Sequence, residues 1–190
     1  MEYARSAGFP VPRVFEISDE GTDVVMERIE GGSMLADLES RPWGLKRHAA
    51  TLAELHGRLH EIPAPEWLAA APGGEGDRLL HLDLHPLNVM LAPGGPVVID
   101  WTNAARGQPQ ADVAATWILM ATGAIPGGRL KAAVLGRFRS LLVNSYLGHF
   151  DLAPVRAELP ALVEWKCHDA NMSETEKALM RELAHRHGRA

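Results

Sequence analysis

The segment His81 to Trp101, HLDLHPLNVMLAPGGPVVIDW, gathers five side chains that could do chemistry together: His81, Asp83, His85, Asn88 and Asp100. The runs VMLA and VVI flank the turn PGGP. Symmetric pairing sets Ala92 against Pro96, Leu91 against Val97, Val89 against Ile99 and Asn88 against Asp100. Directly opposed residues of an antiparallel pair have Cα atoms about 4.5–5.5 Å apart, so an amide and a carboxylate are expected to meet at the foot of this hairpin. Oxygen donors of that kind suit a hard cation such as Mg²⁺, which takes one or two protein oxygens and fills its octahedron with phosphate and water. Asp83 precedes Asn88 in a loop bent by Pro86 and can face the same point. A carboxylate beside a metal-held phosphate can accept the proton of an attacking hydroxyl.

Buried Asp and Asn side chains need partners, so a cluster of this kind in an apolar stretch points to a site. A second chemistry fits the same letters: His81, Asp83 and His85 form an H-x-D-x-H run that could ligate zinc or another transition metal, as in a metal-dependent hydrolase. Elsewhere, His56 and His60 stand at i, i+4 without the Glu or third ligand of a zinc site, and are expected on a partly exposed helix face.

The elements that must position these groups are legible around them. Residues 2 to 7 read as a helix end stopped by Gly8, with Pro10 and Pro12 beyond it. VFEI and DVVMERI, joined by SDEGT, read as a hairpin over 13 to 29. Glu30, Gly31 and Gly32 form an expected flexible joint, and Ser33 caps a short helix over Met34 to Leu38. Leu45, Ala49, Leu52, Leu55, Leu59 and Ile62 recur every three or four residues, the stripe of an amphipathic helix ended by Pro63. Residues 64 to 78 read as a loop. Helices are expected near 110 to 123, 128 to 148, 154 to 170 and 174 to 187, the last opened by the capping box Ser173 and Glu176 and stopped at Gly188. The fold class is α+β with a mostly helical body.

Composition removes several classes of function. The chain has 190 residues, 24 acidic and 19 basic side chains and a net charge of −5, without the basic cluster that nucleic acid requires. Its single cysteine, Cys167, excludes an intrachain disulfide and fits a reducing compartment. The N-terminus lacks a signal peptide's apolar run, and the most apolar stretch, VAATWILMATGAI, falls short of the ~20 residues of a membrane span. The expectation is a cytoplasmic protein with no nucleic-acid or membrane partner.

The spacing D-x-x-x-x-N, followed by a strand pair ending in Asp, is that of a kinase catalytic loop and its metal-binding aspartate. HLDLHPLN and VVIDW resemble the H-G-D-L-H-x-x-N and I-D-W motifs of the aminoglycoside phosphotransferase family, the protein-kinase-like small-molecule kinases also called the phosphotransferase enzyme family. GFPVPRV, VVMERIEGGSM, TLAELHGRLHEI and GQPQADVAATW are similar to the strand, hinge, first lobe helix and G-x-P-x-x-D segment of these enzymes, so residues 7 to 125 match in order. The resemblance implies a protein-kinase-like fold, with 1–30 a remnant of the small nucleotide-binding lobe and hinge, and 31–190 the helical catalytic and substrate lobe. It implies an ATP-dependent transfer of the γ-phosphate to a hydroxyl of a small molecule. Asp83 would be the base, Asn88 and Asp100 would hold Mg²⁺, and His85 would sit near the transferring phosphate. Met26 to Ile29 would be the hinge, the main chain of Glu27 and Ile29 bonding adenine, and Asp112 would brace the catalytic loop. Acceptors of the family's kind are aminoglycosides and other antibiotics, choline-like amines and sugars, so antibiotic resistance is one expected setting. Acidic residues of the C-terminal helices, Glu158, Glu164 and Asp169, are candidates to attract a cationic acceptor.

Two departures from the family pattern stand out. Leu82 replaces the motif's usual Gly, and no lysine precedes the hinge, the four being Lys46, Lys131, Lys166 and Lys177. The 190-residue polypeptide alone is therefore expected to be a weak or inactive kinase. A non-catalytic ligand- or partner-binding remnant is the alternative. The edge of the 13 to 29 hairpin is expected to pack on the helical body, to lack order, or to pair with a second copy as a homodimer.

Overall fold

The computed structural model describes residues 1–18, 23–123, 129–170 and 172–188, with the backbone alone over 129–135. A short helix α1 (Glu2–Ser6) leads into the hairpin β1 (Val14–Ile17) and β2 (Val24–Met26). Next come β3 (Gly32–Ser33), α2 (Met34–Ser40), a 3₁₀ turn at Pro42–Gly44 and α3 (Leu45–His60). After a loop, β4 (Arg78–Leu80), β5 (Val89–Ala92), β6 (Gly95–Val98) and β7 (Ala105–Gly107) precede four helices: α4 (Pro109–Thr122), α5 (Arg129–Leu147), α6 (Leu152–Cys167) and α7 (Glu174–His187).

The helices form the body because their apolar faces have one another to meet. The stripe foreseen on α3 buries Ala49, Leu52, Leu55 and Leu59, each fully buried Leu contributing about 1.5–3 kcal/mol. α4 is mostly apolar and buried on nearly all sides, and runs through the centre against α3, α5, α6 and α7. The stretch that most resembled a membrane segment is thus largely the core helix, and among the described residues no helix is long and apolar enough to cross a membrane. Pro154 does not delay α6, because proline is tolerated in a first turn; the helix opens at Leu152 with Asp151 as its cap. Ser173 and Glu176 form the expected capping box on α7.

Three small antiparallel sheets carry the rest. β1 pairs with β2, β4 with β7, and β3 joins the β5–β6 hairpin in the order β3-β5-β6. β3 corrects the flexible joint. Gly32 and Ser33 pair with Leu91 and Met90, and Gly31, at φ 140°, passes so close that a Cβ there would lie 2.2 Å from the Leu91 carbonyl oxygen. Gly31 serves close approach, not mobility. The expected turn residues 19–22 lie outside the described residues. β1 and β2 pair with Phe15, Ile17, Val24, Val25 and Met26 exposed.

Register is the second correction. β5 and β6 pair Ala92 with Gly95, Leu91 with Pro96, Met90 with Val97 and Val89 with Val98. The turn is Pro93-Gly94, one residue tighter than the symmetric reading, and Gly95 takes φ 120° to allow it. Asn88 therefore lies against Ile99, whose N–H donates to the Asn88 carbonyl at 3.0 Å, and Asp100 is one residue beyond.

Candidate active site

The loop His81–Asn88 is held from below by side chains that do no chemistry. Leu82 and Leu84 are buried anchors pointing into the core. Between them the chain alternates, which brings Asp83 and His85 to the opposite, part-exposed side. The loop backbone is fixed at three points. Asp112, wholly buried in the first turn of α4, accepts the N–H of His81 at 3.1 Å and of Leu82 at 2.7 Å. Thr116, one helical turn on, donates its hydroxyl to the Leu84 carbonyl at 2.8 Å. Asn88 N–H closes a turn onto the His85 carbonyl at 2.9 Å, with Pro86 inside it.

The segment Gly107-x-Pro109-x-x-Asp112 now has a physical reading. Gly107 has no room for a side chain, since a Cβ would lie 2.7 Å from that of Ala71 and 2.9 Å from Leu80 Cδ1. Pro109 starts α4, where its missing N–H costs nothing. Asp112 in the first turn then reaches the loop and also accepts from His60 Nε2 at 3.0 Å. Burial pushes the Asp112 carboxyl up, but the His60 hydrogen bond and the imidazoles of His56, His60 and His81 outweigh it and hold the group well below the usual carboxylate range.

Leu82 pays for this loop with an uncommon conformation, φ 57°, in the left-handed region that favours glycine. That is where the family motif has Gly. The second non-glycine residue with positive φ is Asp100, at 60°, where a short polar side chain can support itself by local hydrogen bonding; its Oδ1 accepts from the Thr102 hydroxyl at 2.9 Å.

The three oxygen-bearing groups occupy one end of the β5–β6 hairpin. Asn88 Nδ2 donates to the Asp83 carbonyl at 3.0 Å and to its Oδ2 at 3.3 Å. The Asn88 amide oxygen takes no part in these two bonds. It and the exposed Asp100 carboxylate are oxygen donors of the kind that Mg²⁺ takes. His85 accepts the Leu87 N–H on Nδ1 at 3.3 Å, so its neutral ring carries the proton on Nε2, 3.9 Å from Asp83 Oδ1. Burial lowers the pKa of His85; Asp83 raises it, Lys166 lowers it and Asp100 raises it, so both carboxylates act on one imidazole.

Lys166 was not anticipated. It projects from α6 with its side chain only 3% exposed, its Nζ 3.4 Å from Asp83 Oδ1 and 4.9 Å from the centre of the Trp165 ring. Nothing local in EWKCHD marks it, because the contact spans 83 residues of sequence. Only the burial of a lysine on an otherwise apolar helix face could have signalled it.

Other expected groups fall elsewhere. His81 is buried and its Nε2 donates to the Ile99 carbonyl at 3.1 Å, beneath Trp101. Among the described residues no three His, Cys, Asp or Glu side chains could hold a metal, so the H-x-D-x-H cluster of the hydrolase reading does not form. His56 and His60 are not on a partly exposed face: His56 is fully buried and bonded to Leu52 and Thr116, and His60 is nearly buried and bonded to Asp112. The Glu27 N–H, part of the main chain expected to face adenine, donates instead to the Arg13 carbonyl at 2.7 Å.

A cavity of about 570 Å³ opens at His85, between α2, α4, α5 and α7. Glu158, Glu164 and Asp169 do not line it. Glu158 instead packs over Gly73.

Comparison with known proteins bears on the family and the fold. Residues 64–157 match the model of the phosphotransferase enzyme family. No curated protein matches the chain by sequence. Among solved structures, an aminoglycoside-3'-phosphotransferase of type VIII superposes with a TM-score of 0.56 at 17% identity, over 96% of this chain and 76% of that one. A choline/ethanolamine kinase family protein from Mesorhizobium loti gives 0.55 at 14% identity, over 97% and 74%. The amicoumacin kinase hAmiN, solved with AMP-PNP, Ca²⁺ and Ami, gives 0.50 at 15% identity, over 98% and 74%. Over residues 64–157 the chain is thus similar to the phosphotransferase enzyme family, and it carries the kinase-like fold of the enzymes it superposes on.

Proposed function

We propose that this protein is an ATP-dependent, Mg²⁺-requiring phosphotransferase that moves the γ-phosphate to a hydroxyl group of a small molecule. The observation that carries the reading is the convergence of Asn88, His85 and Lys166 on the Asp83 carboxylate. In this reading Asp83 accepts the proton of the acceptor hydroxyl, and Asn88 orients it. Asn88 and Asp100 would hold the cation, whose charge would offset that of the phosphates. His85, neutral and protonated on Nε2, offers that N–H to a phosphate oxygen, and Lys166 adds positive charge beside the reacting atoms. Met26, Glu27 and Ile29 would form the hinge, with the Glu27 carbonyl accepting from adenine. Residues 1–30 would then be the nucleotide-side unit and 31–190 the catalytic and acceptor lobe.

The hydrolase alternative lacks its ligand set, because among the described residues His81, Asp83 and His85 do not come together as a metal-holding group. The non-catalytic alternative predicts a pocket without turnover. The 190-residue polypeptide has no lysine ahead of the hinge, and loss of one electrostatic donor typically slows an enzyme by about 10²–10³. The test is phosphate transfer from [γ-³²P]ATP by the purified chain to a panel of hydroxylated acceptors. The proposal expects slow, Mg²⁺-dependent transfer that Asp83→Asn abolishes. Transfer unaffected by Asp83→Asn would refute the assignment of the base.

A further inference from the structure

The cavity at His85 says what kind of acceptor this chain takes, an inference that rests on the phosphotransferase reading. Its volume, about 570 Å³, is that of a small-molecule site. Its walls are apolar: Leu35 and Leu38 from α2, Leu119 and Met120 from α4, Phe138 and Leu142 from α5 and Met180 from α7. Its polar groups are largely committed. Thr122 donates to the Ile118 carbonyl at 2.8 Å. The Arg139 guanidinium donates to the carbonyls of Ala121 and Gly123. Glu176 Oε2 accepts from the Ser173 hydroxyl at 2.7 Å and the Ser173 N–H at 3.0 Å in the α7 capping box. Glu39 is exposed at the rim.

A polycationic acceptor would have to shed water from several ammonium groups against hydrocarbon, with a fixed arginine in the same wall. Burying unpaired charge in that way is costly. An apolar body carrying a hydroxyl meets no such penalty: the body fills the apolar walls, and the hydroxyl lies at His85, beside Asp83. Three methionines, Met120, Met172 and Met180, line the space and can repack around bodies of different shape. We infer that the acceptor is a compound with a largely apolar body and a hydroxyl, uncharged or at most singly charged, and not a polycationic aminoglycoside.

The test uses 1-pyrenebutanol, an apolar alcohol whose emission reports its surroundings, titrated into the purified chain without nucleotide. Saturable binding is expected, weakened about tenfold or more by Leu35→Lys and by Leu119→Lys, each of which places an ammonium in the cavity. Both positions are half-buried, and circular dichroism checks that each variant is folded. A large excess of kanamycin should not displace the probe. Absence of saturable binding to the folded chain, binding unchanged in both variants, or displacement by kanamycin overturns the inference. AMP-PNP binding in the same preparation separates the two layers. Nucleotide binding without probe binding overturns the acceptor class alone. Probe binding without nucleotide binding leaves the apolar preference standing and removes the phosphotransferase reading.

Discussion

Lys166 and Asp83 are 83 positions apart in sequence, yet the Lys166 ammonium lies 3.4 Å from Asp83 Oδ1 and is almost wholly buried. The two charges depend on each other unequally. Asp83 has Asn88 and some solvent as further partners, whereas Lys166 has only Asp83 and the Trp165 ring among the contacts described. Asp83→Ala should therefore strand a buried cation and destabilise the fold by about 1–3 kcal/mol. Lys166→Met, an apolar chain of similar length, should cost less, and the double variant should recover most of the loss. Urea denaturation of the four species measures the coupling. Additive effects would show that the pair does not interact.

Strain at Leu82 makes an unusual order of stabilities. The side chain is buried, so any truncation loses apolar contacts. Its φ of 57° also penalises every residue with a Cβ by about 1–2 kcal/mol. Leu82→Gly should thus be more stable than Leu82→Ala by about 1 kcal/mol, the reverse of the order in a helix or strand. Thermal denaturation of both variants decides the point. An alanine variant as stable as the glycine variant would mean that Asp112 does not impose the left-handed turn.

The core carries a pH sensitivity distinct from the site. His56 is fully buried, its Nδ1–H donating to the Leu52 carbonyl at 2.9 Å, and burial lowers its pKa from 6.5 to about 4. The unfolded chain takes up this proton near pH 6.5 and the native chain only near pH 4. Stability from this group is thus complete above about pH 6.5 and falls as pH drops to about 4, by on the order of 3 kcal/mol. Denaturant midpoints measured between pH 7.5 and 4.5 should decline, and His56→Gln should flatten the decline. A midpoint independent of pH over this window would contradict the burial of His56.

How much of this was legible in the sequence depends on range. The stripe of α3, the capping box of Ser173 and Glu176 and the Ser33 cap are local patterns, and each is present as read. Asp112 as a brace followed from the family motif, and the loop geometry supplies its reason. The β5–β6 register escaped because PGGP offers two turns one residue apart, and only Gly95 at positive φ selects the tighter one. β3 escaped because a two-residue strand has no periodicity. Lys166, the burial of His56 and the apolar cavity escaped for a different reason. They are made by helices distant in sequence, and no local pattern encodes which faces meet.

The central claim is that Asp100 serves the metal-nucleotide while Asp83 serves the acceptor's proton. Calorimetric titration of AMP-PNP into the purified chain, with and without Mg²⁺, tests it most directly. The account predicts saturable binding that requires Mg²⁺, weakened about tenfold or more in Asp100→Asn and little changed in Asp83→Asn. Binding that ignores Mg²⁺, or is lost equally in both variants, would contradict it.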